Sequence, residues 1–460
     1  MKEEFLYFLW QTQHFSHTGL ESTDGEPLEI ISAGKRNLFA GPDFYDCWLR
    51  TGNLRWNGPV EMHVKSSDWY AHRHQNDRAY NNVILHVVWQ HDAAVYYPSG
   101  NEIPVLELSR YADETLLKTY KSMLAAKPGT IACGEMFDKS SRLSRFSMLD
   151  SALAERMHRK ANEILGLFKR NREDWEETCY QILARALGLP LNAEPMLALA
   201  QLMPLRLLRK YGQNLQSLQA LLLGQAGLLT DNIEKAESSG YRIVPAGLTK
   251  ESIDSNLLSA VYSELEEKHS LKSTKSDPVI WKSGAQRPAG FIPQKILLLA
   301  ELVYSLPFLS DLFLQVMPAN AYAVHISRAL NRKEQNFRTA PAGKDLFSGP
   351  AKPGKEALSL LVINTVPALL TAYGKQNDLP AWEEHALHVL ESLPAEDNRI
   401  LRQWKALGLL PQNAADSQGA AEKYNTHCSQ RACLNCPVGI EILGRNDQRE
   451  TEKQIPGYAA

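Results

Sequence analysis

The hydrophobic pattern changes once along the chain, near Lys127-Pro128-Gly129. Before it, short apolar runs alternate with polar ones. Residues 1–13 read as an amphipathic helix with Phe5, Leu6, Phe8, Leu9 and Trp10 on one face. A short strand follows at 27–32, then a run after Asp43, a turn at Thr51-Gly52-Asn53, and a second run over 54–65. Residues 82–92 form the most apolar run, as a strand buried on both faces requires. Pro104 places the strand at 102–108 on an edge, and a helix over 113–126 closes the unit. After residue 128 strand signals become rare, and Leu- and Ala-rich segments with i, i+3, i+4 spacing take over. The expected organisation is an α/β domain over 1–128, a helical domain over 129–425, and a cysteine-bearing segment over 426–460.

The run over 54–65 carries the sharpest chemistry. Glu61, His63 and Lys65 alternate with Val60, Met62 and Val64. Side chains two apart on a strand share a face, so an acid, an imidazole and an amine point one way. Asp43, at the mouth of the partner strand, is placed to meet Glu61. Two carboxylates beside a base suit a divalent cation and a phosphodiester: the acids hold the ion, and the base handles the proton. An ordinary hairpin with a wet polar face has the same pattern.

Pro42-Asp43 and Glu61-Met62-His63 resemble the PD-(D/E)XK nuclease motif. The resemblance implies an αβββαβ core of restriction-endonuclease type, with Mg²⁺ or Mn²⁺ held by Asp43 and Glu61. His63 stands where that family usually has lysine, and the lysine comes two residues later, at Lys65. An upstream acid often joins such sites, which makes Glu26 and Glu29 candidates.

Further on, His72, His74 and Asp77 crowd into a short span. On a helix His72 and His74 stand about 200° apart and cannot share an ion; in a loop they can. His86, alone in a buried strand, reads as a hydrogen-bonded core residue. Arg156, Arg159, Lys160, Lys169, Arg170 and Arg172 form a basic stripe that fits either a phosphate backbone or a solvated helix face. Arg287 is a further cation with no assigned place.

Cys428-x4-Cys433-x2-Cys436 has the spacing of a metal centre, and Pro437 turns the chain away after it. A fourth ligand must come from upstream: Cys133, Cys47, Cys179 or the adjacent His427. Cys133 is favoured, because it follows the Pro-Gly link and would pin the chain closed. One early and three late cysteines resemble the iron–sulfur nucleases of the RecB-like group, which implies an iron–sulfur cluster; zinc and free thiols remain alternatives.

With 50 basic and 52 acidic residues the net charge is -2, so any binding of DNA or RNA needs a local basic patch. The start of the chain lacks a basic n-region, and no apolar run reaches the length of a membrane span; both predict a cytoplasmic protein. The runs DGEPLEI, GPVEMHVKSSDW, INTVPALLTAYG and CLNCPVGIEIL resemble a bacterial family known only as a domain of unknown function. The expected function is a metal-dependent, nuclease-like phosphodiesterase. The alternative is a non-catalytic nucleic-acid-binding or scaffold protein with a structural zinc or iron–sulfur site.

Overall fold

The computed structural model describes residues 2–229, 255–271, 281–282, 292–331 and 353–444. Arg287 lies outside them. The chain forms two compact units. The first comprises Met1–Leu149, Gln403–Leu409 and Glu422–Ala460; the second comprises Asp150–Arg402 and Leu410–Ala421.

The first unit is built on a mixed sheet. Helix α1 (Glu3–Thr12) buries Phe5, Leu6, Phe8, Leu9 and Trp10, and ends at Gln13 in the left-handed conformation. Glu3 and Glu4 occupy its first turn, where the helix dipole favours acids. Strands β1 (Leu28–Ser32), β2 (Lys35–Arg36), β3 (Phe44–Thr51) and β4 (Leu54–Lys65) are followed by β5 (Leu85–Gln90) and β6 (Val105–Glu107). Spatial order is β1-β3-β4-β5-β6, with β2 against β3. The β1–β3 and β3–β4 pairs are antiparallel; β4–β5 and β5–β6 are parallel. The parallel register sets Glu61 opposite His86.

A bulge between Phe44 and Cys47 carries Asp46 at φ 58°. Gly34 permits the close approach there: a Cβ on it would lie 2.4 Å from the Tyr45 carbonyl oxygen. One-turn helix α2 (Asp68–Ala71) and two short turns connect β4 to β5, pinned by the apolar set Trp69, Tyr80, Val83, Val95 and Ile103. Helix α3 (Glu114–Ala125) is capped by Asp113, which accepts from the Thr115 N–H.

Helix α4 (Arg142–Arg170) begins in the first unit and continues into the second. The described part of the second unit is helical. Its segments include Trp175–Leu187, Leu215–Gln225, Ile292–Ser305, Lys355–Asn377 and Pro380–Ser392, packed through a Leu- and Ile-rich core. The helix Lys355–Asn377 is long and apolar enough to cross a membrane, contrary to the expectation that no run is, and 72% of its apolar window is buried within the protein. Its apolar character therefore fits a core helix. The basic stripe is broken up. Arg159 donates to Glu163 at 2.9 Å, Lys160 is half-buried, and Arg172 leaves the helix in a left-handed turn.

Candidate metal centre

Four elements of the first unit converge on one cluster. Strand β4 supplies Glu61 and His63, both nearly fully buried at 4% and 1% exposure. Alternation does set them on one face, yet that face is covered rather than wet. The loop after α2 brings His72 and His74. One ligand nitrogen from each of His63, His72 and His74 lies within 4.8 Å of the others.

The distances are close. His63 Nε2 is 3.0 Å from His72 Nδ1. Glu61 Oε1 stands 3.6 Å from His63 Nε2 and 3.2 Å from His74 Nε2. The second approach lacks hydrogen-bond geometry, which leaves His74 Nε2 buried without a hydrogen-bond partner. Ligands held at about 2.0–2.1 Å from a tetrahedral ion are separated by edges of about 3.3–3.4 Å. The observed separations bracket that length. The imidazole set therefore fits one transition-metal ion, with Glu61 Oε1 beside it.

The bend that makes this possible lies in the backbone. Helix α2 stops at Ala71, with His72 as its C-cap. Arg73 then adopts the left-handed conformation, φ 63°, unusual for a residue with a side chain. That single reversal turns His72 and His74 toward the same point. His74 stacks on Tyr80 at 3.8 Å and meets Trp69 edge-on at 5.4 Å.

Asp43 stands behind the cluster. Its N–H donates to Glu61 Oε2 at 3.0 Å. Its own carboxylate accepts from the Met62 N–H at 3.0 Å and from the Tyr7 hydroxyl of α1 at 2.9 Å. Glu3, one turn before Tyr7, lies near enough to raise the Asp43–Glu61 field. The Arg36 guanidinium sits over the Tyr7 ring at 4.5 Å. His86 Nε2 is 2.8 Å from His63 Nδ1, so one shared proton orients the ring.

Burial and the Asp43 charge push Glu61 up to about 9. Burial likewise raises Asp43, against the pull of Tyr7 and the Met62 N–H. Burial, with the neighbouring imidazoles, lowers His63 to about 2 and His86 to about 3. His74 is lowered chiefly by burial. Neutral imidazoles keep the lone pairs that metal ligation needs. Two buried carboxyl groups that repel each other are what a divalent cation would relieve.

Other sequence candidates lie elsewhere. Lys65 is half-exposed at the end of β4, its amine 3.9 Å from Asp92. The strand is long enough that a shared face does not mean a shared site. Glu29 pairs with Arg50 at 2.6 Å on the exposed side of the sheet. Glu26 is exposed in the loop before β1. Asp77 caps the turn at Arg78–Tyr80 by accepting from the Ala79 N–H. Tyr7 and Glu3 were not legible as site residues; their i, i+4 spacing on α1 was the available signal. Cys133, Cys428, Cys433 and Cys436 line a cavity in the same unit. Cys47 Sγ instead faces the Ala33 carbonyl, and Cys179 is buried in the helical core.

The residues of the first site all fall within a stretch matched by one family profile, residues 3–399, described as a protein of unknown function. The chain belongs to the DUF2851 family. No curated protein and no solved structure matches it. The DUF2851 match includes Cys133 and stops short of Cys428, Cys433 and Cys436.

Proposed function

We propose that this DUF2851 protein is a metal-dependent, nuclease-like phosphodiesterase acting on nucleic acid. The observation that carries the reading is the position of Glu61 Oε1, 3.2 Å from His74 Nε2 and 3.6 Å from His63 Nε2, with Asp43 bonded behind it. His63, His72 and His74 would hold the ion. Imidazole donors favour Zn²⁺ or Fe²⁺ over the Mg²⁺ or Mn²⁺ that a carboxylate-only site prefers. When bound, the ion supplies Lewis acidity, lowering the pKa of water and offsetting phosphate charge.

The remaining work falls to the chain. Glu61 Oε1 accepts the proton of the attacking water as the P–O bond to the leaving oxygen breaks, that oxygen taking its proton from solvent, while the other Glu61 oxygen is fixed by the Asp43 N–H. Tyr7 and the Met62 N–H hold Asp43 in place. Arg36, on the adjoining strand, offers charge toward a phosphate. Phe39, 88% exposed in the loop that leads to Asp43, offers a face on which a base can stack. With the two-residue β2 set aside, the order α1, β1, β3, β4, α2, β5 is in keeping with the αβββαβ core that the motif resemblance implies, α2 being a single turn.

The test is cleavage of labelled single- and double-stranded DNA and RNA with added Zn²⁺, Mn²⁺ or Mg²⁺. Cleavage lost in Glu61→Ala and Asp43→Ala supports the reading; equal cleavage by those variants and the parent defeats it. The orientation of Lys65 favours a second reading, a metal-binding protein without hydrolytic activity. That reading expects stoichiometric metal and no turnover.

A further inference from the structure

The four cysteines converge from two separate stretches of chain. Cys133 follows the link after α3. Cys428 ends the turn Tyr424–Cys428, Cys433 begins the turn Cys433–Asn435, and Cys436 precedes the helix Pro437–Gly444. All four are buried and line one cavity with Trp404 and His427. Gly439 lets the chain close around it: a Cβ there would lie 2.1 Å from the Cys433 carbonyl oxygen. We infer that this cavity holds an iron–sulfur cluster ligated by Cys133, Cys428, Cys433 and Cys436.

Spacing selects the class of metal. A single zinc ion, at about 2.3 Å from each sulfur, draws its sulfurs to edges of about 3.8 Å. Among the described residues the atoms gathered within 4.8 Å belong to the histidine trio, and no trio of these thiols is that tight. Sulfurs around a shared cavity but farther apart suit a polynuclear cluster, which stands between them.

Charge agrees. Thiolates around iron leave the site negative, and two cations face it. Lys423 is 1% exposed, with its amine 3.5 Å from the Asn435 carbonyl oxygen. Arg431, in the left-handed conformation, donates to the carbonyls of Ala126, Lys127, Thr130 and Cys428. Tyr424 adds a bond to the Gly129 carbonyl at 2.9 Å, and Glu441 accepts from the Ser141 N–H at 2.8 Å. The same surroundings thus tie residues 424–441 to residues 126–141. Each thiol would hold iron as a thiolate, its proton leaving with the ligand that the iron gives up.

This inference is independent of the hydrolase reading. The full-length protein, purified anaerobically, is expected to be brown and to contain iron and acid-labile sulfide in similar amounts. Cys433→Ser and Cys133→Ser should lose most of that iron, whereas Cys47→Ser and Cys179→Ser should keep it. One zinc per chain in place of iron, no metal at all, or full iron retention in Cys433→Ser would overturn the assignment. Should the serine variants fail to fold, the iron and sulfide content of the unaltered protein still decides.

Discussion

The first unit contains two ligand clusters of opposite character. The histidine–carboxylate cluster mixes imidazole with oxygen, and one member, His72, is exposed. The cysteine cluster is uniform in chemistry, and all four members are buried. A centre that performs chemistry keeps a position open to solvent, whereas one that holds a fold is closed by its own ligands. The surroundings follow the same division. Around Glu61 the backbone leaves two acids in mutual repulsion; around the thiols it brings two cations and ties down the flanking segments.

Several changes would break or sharpen that contrast. Glu61→Ala should reduce phosphodiester cleavage by about 10³-fold, about 4 kcal/mol of transition-state stabilisation, with little loss of melting temperature. A large drop in melting temperature would instead make Glu61 a structural residue. Cys433→Ser should do the reverse, lowering the melting temperature by roughly 10 °C while any residual folded protein keeps the histidine-bound ion. His86→Gln removes the partner that orients His63, and should weaken metal binding by about 10–100-fold in a competition titration with a chelator.

A pH series on metal-free protein probes the buried acids. The folded pKa of Glu61, near 9, lies above its ordinary 4.5. Its contribution to stability is therefore full below about pH 4.5 and is lost as pH rises toward about 9. His63 and His86 act oppositely, destabilising the fold as pH falls below about 6.5. Thermal melts should show the alkaline decline, and Glu61→Gln should flatten it. Bound Zn²⁺ or Mn²⁺ should flatten it too. The smallest effect is expected for Lys65→Ala, within about 0.5 kcal/mol in stability and within about threefold in rate. A severe loss of rate would return Lys65 to the catalytic role that its sequence position suggested.

Much of the site was legible because β4 obeys a two-residue period. That period set Glu61 and His63 on one face and brought Asp43 opposite them. It says nothing of how far along the strand a side chain remains within reach, which is why Lys65 ends beside Asp92. The histidine pair was legible only as a choice between helix and loop. Arg73, whose type gives no hint of a left-handed conformation, decided it. The participation of Tyr7 and Glu3 depends on how α1 packs across β4, a tertiary fact with no local signature. In the fold, the long apolar runs of β5 and of the helical unit were plain. The return of residues 403–409 and 422–444 to the first unit was signalled only by the cysteines, because contacts distant in sequence leave no periodic trace.

That return has a consequence for how the protein is made. The sheet emerges from the ribosome before the helical unit, and the residues that finish the sheet's unit are translated after most of that helical unit. At ordinary elongation rates of about 5–20 residues per second, the wait between Leu149 and Cys436 is roughly 15–60 s. During it the nascent sheet stands without its closing segment, and Cys133 without its three companions. Assembly of the first unit thus waits on synthesis of most of the second.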